Sequence, residues 1–148
     1  MARQGFYPRA AIFGVPLHAM LVPFPIACFT GALLSDITYM NTFHYQWANF
    51  SQWLLAFGTF MGALAALFGL IDFLAARGAR PKIGWFHLVG NAIVLLLALA
   101  NNFVHARDGW VGVVPTGITL SALTVLLMIV TGFLGHRMAY RHVGREQS

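Results

Sequence analysis

The sequence predicts an all-α integral membrane protein, a bundle of four antiparallel transmembrane helices with both termini in the cytoplasm. Its 148 residues are 59% apolar and only 9% charged, and their mean hydropathy is +0.72. A soluble domain of this size would carry about 25% charged residues on average, far more than this chain has. Apolar segments of about 20 residues fill most of the chain, and each can cross a hydrocarbon core about 30 Å thick.

The predicted helices form a single transmembrane domain that covers residues 1–148. They are expected at residues 17–36, 51–74, 84–104 and 113–137, followed by a basic tail at 138–148. Small residues at helical spacing, such as Gly58, Gly62 and Ala66, let helix backbones approach closely in a membrane. These rows favour one antiparallel bundle, and they also permit a homodimer or a larger membrane complex.

Basic residues predict the orientation of the bundle. Arg107 is the only one of nine Lys and Arg residues in the loops that follow helices 1 and 3; the other eight lie at the opposite ends. The positive-inside rule therefore places both termini in the cytoplasm. The net charge of +5 is explained by this topology and by contact with anionic lipid, and it gives no reason to infer nucleic-acid binding. Cys28 is the only cysteine, which excludes a disulfide framework and a thiolate zinc site.

Ionisable side chains inside the predicted spans gather at the cytoplasmic face. Asp72 lies near the end of helix 2, His18 and His87 lie near the starts of helices 1 and 3, and His136 lies at the end of helix 4. Such residues are costly in a bilayer and usually face the bundle interior. The topology therefore predicts one layer that contains three histidines and a carboxylate.

A weak internal repeat relates two of these histidines, because Leu17-His18 opens helix 1 and Phe86-His87 opens helix 3. Two parallel hairpins around an axis along the membrane normal would bring both rings to similar depth. Pro23 and Pro25 remove backbone donors from the first turns of helix 1. Residues 17–22 are therefore expected to form a short irregular segment at the bundle mouth, with His18 pointing inward.

Three interpretations of this layer remain open. The histidines can be hydrogen-bonded residues of a non-catalytic scaffold or accessory subunit. His18 and His87 can instead be axial ligands of a b-type haem, with His136 as a spare ligand. In the third interpretation His18, His87 and Asp72 bind a divalent ion such as zinc. Asp72 can orient an imidazole or pair with Arg77.

Helix 3 adds a polar face to an otherwise apolar span. At about 100° per residue, its side chains project from nearly the same face of the helix as His87. They are Asn91, Asn101, Asn102 and His105. Interhelical hydrogen bonds explain such a face as well as a binding site does. His44 and His105 could also form a second, outer histidine pair.

Four motifs resemble a family of small bacterial inner-membrane proteins described as domain of unknown function 2231. They are "PLHAMLVPFPIACFTGALLSDI", "GLIDFL", "WFHLVGNAIVLLLALAN" and "GFLGHRMAYRHVG", and the resemblance extends from Gly14 to Gly144. The family motifs fall on His18, Pro23, Pro25, Asp72, His87, Tyr140 and His142. Ala19 and Val143 depart from the family pattern, which has proline and glycine there.

The resemblance adds His142 to the candidate ligands, beside His136. It implies a four-helix protein of the bacterial inner membrane that is similar to small cytochrome-b bundles. The favoured function is a haem-binding electron-transfer or redox-associated subunit rather than an enzyme. A scaffold and a divalent-metal protein are the alternatives.

Overall fold

The four predicted membrane spans are present in the computed structural model, which describes residues 10–75, 82–107 and 109–143. Four helical segments are long and apolar enough to cross a membrane: Leu17–Thr42, Tyr45–Ala75, Lys82–His105 and Trp110–Arg137. The predicted all-α fold with four membrane-spanning helices is thereby confirmed. Most large side chains on the outside of the bundle are apolar, such as Leu96, Phe103 and Leu126, and they contact lipid.

The described chain contains a two-stranded hairpin and six helices. In chain order they are β1 (Ala11–Ile12), β2 (Val15–Pro16), α1 (Leu17–Leu21), α2 (Pro23–Thr42), α3 (Tyr45–Ala75), α4 (Lys82–His105), α5 (Trp110–Val113) and α6 (Thr116–Val143). Several helices exceed their predicted bounds, because polar residues in the loops and in the tail do not break a helix. α3 begins at Tyr45, and α6 continues through most of the predicted tail to Val143.

The start of the first span is more regular than the prolines predict. Val22, between α1 and α2, has helical φ and ψ of −53° and −37°, and its N–H donates to the His18 carbonyl at 3.1 Å. Pro23 begins α2, where the first turn needs no backbone donors. The expected separate segment exists as the short helix α1, but its backbone is helical rather than irregular.

The bundle is a closed ring of helices with an approximate twofold relation between its halves. α2 packs against α3 and α6, and α4 packs against α6 and α3. Exchanging α2 with α4 and α3 with α6 leaves these packing relations unchanged. Both α2 and α4 run from the end that contains His18 and His87, called here the histidine end, to the opposite end, called the aspartate end after Asp36.

The register of buried residues shows the same repeat. In the first helix of each half, buried residues recur after 69 positions: Pro25 with Val94, Phe29 with Ala98, Ala32 with Asn101, and Asp36 with His105. In the second helix they recur after 66 positions: Ser51 with Gly117, Leu55 with Ser121, Gly58 with Thr124, Gly62 with Met128, and Ala65 with Thr131. These pairs of buried residues agree with the parallel repeat predicted from the two histidine motifs.

The small-residue rows are used for packing inside this bundle. A Cβ atom built on Gly58 would lie 2.8 Å from the Cys28 Cβ, and one on Gly62 would lie 2.7 Å from Leu95 Cδ2. These glycines therefore let α3 approach α2 and α4. They explain internal packing, whereas a contact between protein copies would need other surfaces.

Replacing Gly58 by leucine is expected to prevent correct assembly, because the new side chain would overlap Cys28 and Phe29. Overpacking typically costs about 1–3 kcal/mol, and here a buried aromatic ring would have to move. Gly132→Leu is the matched control, since a Cβ there meets no atom within 4 Å. Thermal unfolding in detergent should separate the two variants, and equal midpoints would contradict the packing described here.

The orientation predicted from the basic residues can be measured by labelling. His44 is exposed at the aspartate end, and Ser148 is the last residue of the chain. In sealed right-side-out vesicles, a membrane-impermeant maleimide should label His44→Cys but not Ser148→Cys. Inverted vesicles should give the opposite result. Labelling of Ser148→Cys in right-side-out vesicles would show that the positive-inside rule fails here.

Candidate functional site

The structure brings His18 and His87 together at the histidine end of the bundle. Their ring centres lie 6.1 Å apart and the ring planes cross at 85°. Each ring comes from the first helical segment of one half of the bundle. The internal repeat in the sequence predicted that these two rings would lie at similar depth. They are brought together because α1 packs on α3 and α4 packs on α6.

Each of these rings is held through Nδ1 by a backbone carbonyl of the next long helix. His18 Nδ1 lies 2.8 Å from the Ala65 carbonyl oxygen, and His87 Nδ1 lies 2.9 Å from that of Thr131. A carbonyl oxygen only accepts, so both Nδ1 atoms carry the hydrogen and both neutral rings keep a lone pair on Nε2. Metal-bound histidines are commonly oriented in this way.

Two glycines give the rings their space. A Cβ on Gly69 would lie 2.8 Å from His18 Nδ1, and one on Gly135 would lie 2.8 Å from His87 Cε1. Each glycine lies four residues after the carbonyl that anchors the ring, so a histidine fits flat against the helix in both halves. A side chain at either glycine would push the ring off its carbonyl.

Asn91 makes the two halves unequal. Its amide nitrogen donates to the His87 carbonyl at 2.8 Å and lies 3.3 Å from both ring nitrogens of His87. Its oxygen accepts from the Thr131 hydroxyl at 3.4 Å. The position 69 residues earlier is Val22, which is apolar. For His18, none of the hydrogen bonds among the described residues involves Nε2.

The structure describes two further sequence-predicted ligands, Asp72 and His136. Asp72 is buried, and its Oδ1 accepts the Ala10 N–H at 3.0 Å, which ties the N-terminal hairpin to α3. His136 is exposed on α6. Within the described ranges, no three His, Cys, Asp or Glu side chains converge as a metal-binding group. Arg77 and the side chain of His142 lie outside the described residues.

The polar face of α4 forms interhelical hydrogen bonds. Asn102 Nδ2 donates to the Thr59 hydroxyl on α3 at 2.9 Å, and Asn101 Nδ2 donates to the Ser121 hydroxyl on α6 at 2.9 Å. These neutral contacts join α4 to both of its neighbours. They agree with the packing interpretation of this face.

A second polar cluster, at the aspartate end, was missed by the sequence reasoning. Asp36 is fully buried, and its Oδ1 lies 2.9 Å from His105 Nε2 and accepts from the Ser51 hydroxyl. Its Oδ2 accepts from the Ser121 hydroxyl at 2.6 Å. We call Asp36, Ser51, Asn101, His105 and Ser121 the aspartate cluster. His44 is exposed, whereas His105 pairs with Asp36, so these two histidines do not form the suggested outer pair.

One sequence pattern could have revealed Asp36. It precedes His105 by 69 residues, the same interval that separates His18 from His87. Asp36 also follows His18 by 18 residues, which is about five helical turns, so both lie on one face of a continuous helix. Ending the first predicted helix at this residue concealed that relation.

One family model matches nearly the whole chain. It is described as predicted membrane protein (DUF2231), and it covers residues 14–147. No curated protein and no solved structure matches the chain.

Proposed function

Because the chain belongs to the DUF2231 family of predicted membrane proteins, we propose a function from its own geometry: it binds a b-type haem between His18 and His87 and transfers electrons in the membrane. The paired rings are the observation that supports this proposal. Two imidazoles whose nitrogens both lie about 2.0–2.1 Å from one ion would have ring centres no more than about 6.3 Å apart. The separation in the structure is 6.1 Å.

Haem fits this site better than a bare divalent ion. Structural zinc takes four protein ligands, whereas the described residues offer two converging imidazoles. A porphyrin would supply four nitrogens of its own, so His18 and His87 would be the ligands that its iron takes from the chain. When bound, it would supply one-electron redox chemistry.

The chain's own residues would orient and neutralise the group. The Ala65 and Thr131 carbonyls fix the tautomers of His18 and His87, and they keep both Nε2 atoms free of hydrogen. Lys82 is the first residue of α4, and Arg137 is an exposed residue near the end of α6. Both side chains are positively charged and lie at the histidine end, where they could pair with the haem carboxylates. In this proposal both termini face the cytoplasm of a bacterium, and the protein lies in the inner membrane.

An optical spectrum of the detergent-purified protein tests this proposal. The protein should be expressed with a haem precursor, and spectra should be recorded oxidised and after dithionite. We expect sharp reduced bands and about one haem per chain. Iron, copper and zinc should be measured in the same sample.

The possible results separate the three functions. Reduced bands with stoichiometric iron would support the haem protein. Stoichiometric zinc or copper without these bands would overturn haem in favour of a metal site at the same pair. A flat spectrum without bound metal would overturn both and leave a scaffold or accessory subunit, whose partners could then be sought by cross-linking.

A further inference from the structure

We propose that Asp72 is a positioning residue for His18: through the backbone of Ala10, it holds the short helix α1 where the His18 ring meets α3. Asp72 Oδ1 accepts the Ala10 N–H at 3.0 Å. The carbonyl oxygen of the same alanine accepts the Leu17 N–H at 2.8 Å. Leu17 begins α1 and is followed directly by His18. Two hydrogen bonds therefore connect the carboxylate to the neighbour of the proposed ligand.

Helix α1 depends on contacts outside itself. It has five residues, so most of its backbone N–H groups belong to a first helical turn and have no partner within the helix. Pro16 precedes it and provides no side-chain cap. The Ala10 carbonyl accepts the Leu17 N–H instead, which continues the antiparallel pairing of Ala11 with Pro16. The hairpin thus caps α1, and Asp72 holds the hairpin.

Two prolines weaken the connection between α1 and α2. Pro23 and Pro25 have no N–H, so neither can donate to the α1 carbonyl four residues before it. The bond from the Val22 N–H to the His18 carbonyl remains, at 3.1 Å. The backbone around His18 is therefore held less firmly by its own helix than that of a residue inside a long helix.

One face of α3 makes every contact in this arrangement. Ala65, Gly69 and Asp72 follow one another at intervals of four and three residues, which places them on the same side of the helix. The Ala65 carbonyl oxygen lies 2.8 Å from His18 Nδ1, and Gly69 gives the ring its space. Asp72 adds a contact to the backbone beside the ring. Both the ring and the start of α1 are thus fixed to one helix.

The second half of the bundle differs at this position. The residue that corresponds to Asp72, 66 positions later, is Met138, although the anchoring carbonyl and the glycine occur in both halves. His87 is the sixth residue of the 24-residue helix α4, whose own hydrogen bonds hold its backbone. His18 lies in a helix of only five residues. The carboxylate therefore occurs in the half whose histidine needs the additional support.

The inference rests on the proposed function only in naming His18 an iron ligand, because the position of the ring is a property of the protein without haem. A hydrogen bond from a backbone N–H to a carboxylate is stronger than one to a neutral acceptor. Without it, we expect α1 to leave α3 more often and the His18 ring to lose the Ala65 carbonyl. His87 should stay in place, since its anchor on α6 does not involve Asp72.

Nuclear magnetic resonance of the full-length protein tests this inference, with nitrogen-15 histidine in lipid nanodiscs and without haem. The Nδ1 hydrogens of His18 and His87 are identified by their absence in His18→Gln and His87→Gln. In the wild type, their carbonyl partners should protect both from exchange with water. In Asp72→Ala we expect the His18 hydrogen to exchange at least about tenfold faster, with no change at His87. Asp72→Asn keeps an oxygen that accepts the Ala10 N–H, so it should restore protection.

Ala10→Pro provides a second variant in case Asp72→Ala does not fold. It removes the N–H that Asp72 accepts and leaves α3 unchanged, so it should also speed exchange at His18 alone. Phe13→Ala is the matched control, because it changes an exposed residue of the same hairpin. Three results would overturn the proposal: unchanged exchange at His18 in folded Asp72→Ala or Ala10→Pro, equal acceleration at both histidines, or a wild-type His18 hydrogen without protection.

Haem binding gives a separate measurement. If the wild type binds haem, Asp72→Ala should bind it at least about tenfold more weakly, because the His18 ring is in place for less of the time. Asp72→Asn should bind haem as the wild type does. A wild type without haem would overturn the proposed function, whereas the exchange of the His18 hydrogen would still decide whether Asp72 positions the ring.

Discussion

Replacing either His18 or His87 by alanine is expected to abolish haem binding, with the haem content falling from about one per chain to less than about a tenth. Each variant removes one of the two proposed bonds from the chain to the iron. It also leaves the anchoring carbonyl, of Ala65 or Thr131, without its side-chain partner. Haem should be quantified per chain after expression with a haem precursor, and folding should be checked by size-exclusion chromatography.

Other histidines provide matched controls for this experiment. His44→Ala and His136→Ala change exposed rings, so haem content should not change. His142→Ala tests the spare ligand implied by the family motif. If the haem content is unchanged in His18→Ala but is lost in His142→Ala or His136→Ala, the proposed ligand pair is wrong. The histidine whose removal abolishes haem binding would then be the ligand in place of His18.

The spans and the histidine pair could be predicted from the sequence because each depends on local pattern. Long apolar runs determine where the chain crosses a membrane, and cross-bundle contacts do not alter this. The meeting of His18 and His87 followed from one repeated dipeptide pattern and from the parallel direction of two helices. The structure adds what the pattern does not contain, namely the carbonyls of Ala65 and Thr131 that orient the rings.

The aspartate cluster could not be predicted by weighing each span alone. Asp36 has a charge, and a charge at the end of an apolar run usually indicates the membrane boundary. Its burial depends on His105 and on serines from two other helices. Asp72 was expected to orient an imidazole or to pair with Arg77, which lies outside the described residues. Its Oδ1 accepts the Ala10 N–H from a hairpin that the apolar pattern does not indicate.

Replacing Asp36 by alanine is expected to destabilise the bundle by about 3 kcal/mol, because removing one partner of a buried pair leaves the other without compensation. His105 Nε2 would lose its carboxylate partner, and the hydroxyls of Ser51 and Ser121 would lose their acceptor. The free energy of unfolding can be measured by titration with a denaturing detergent.

Asp36→Asn is the matched variant, because asparagine has nearly the same shape as aspartate but cannot carry its negative charge. An asparagine amide can donate to a neutral His105 Nε2 while its oxygen accepts from Ser121. The Ser51 hydroxyl would lose its acceptor at Oδ1, but it also lies 3.3 Å from the Ala32 carbonyl oxygen and can donate there, so every buried group keeps a partner. We therefore expect Asp36→Asn to cost less than about 1 kcal/mol, because every buried polar group of the cluster keeps a hydrogen bond. If the alanine and asparagine variants lose equal stability, the charge of Asp36 itself stabilises the fold. If neither loses any, Asp36 does not join the two halves of the bundle.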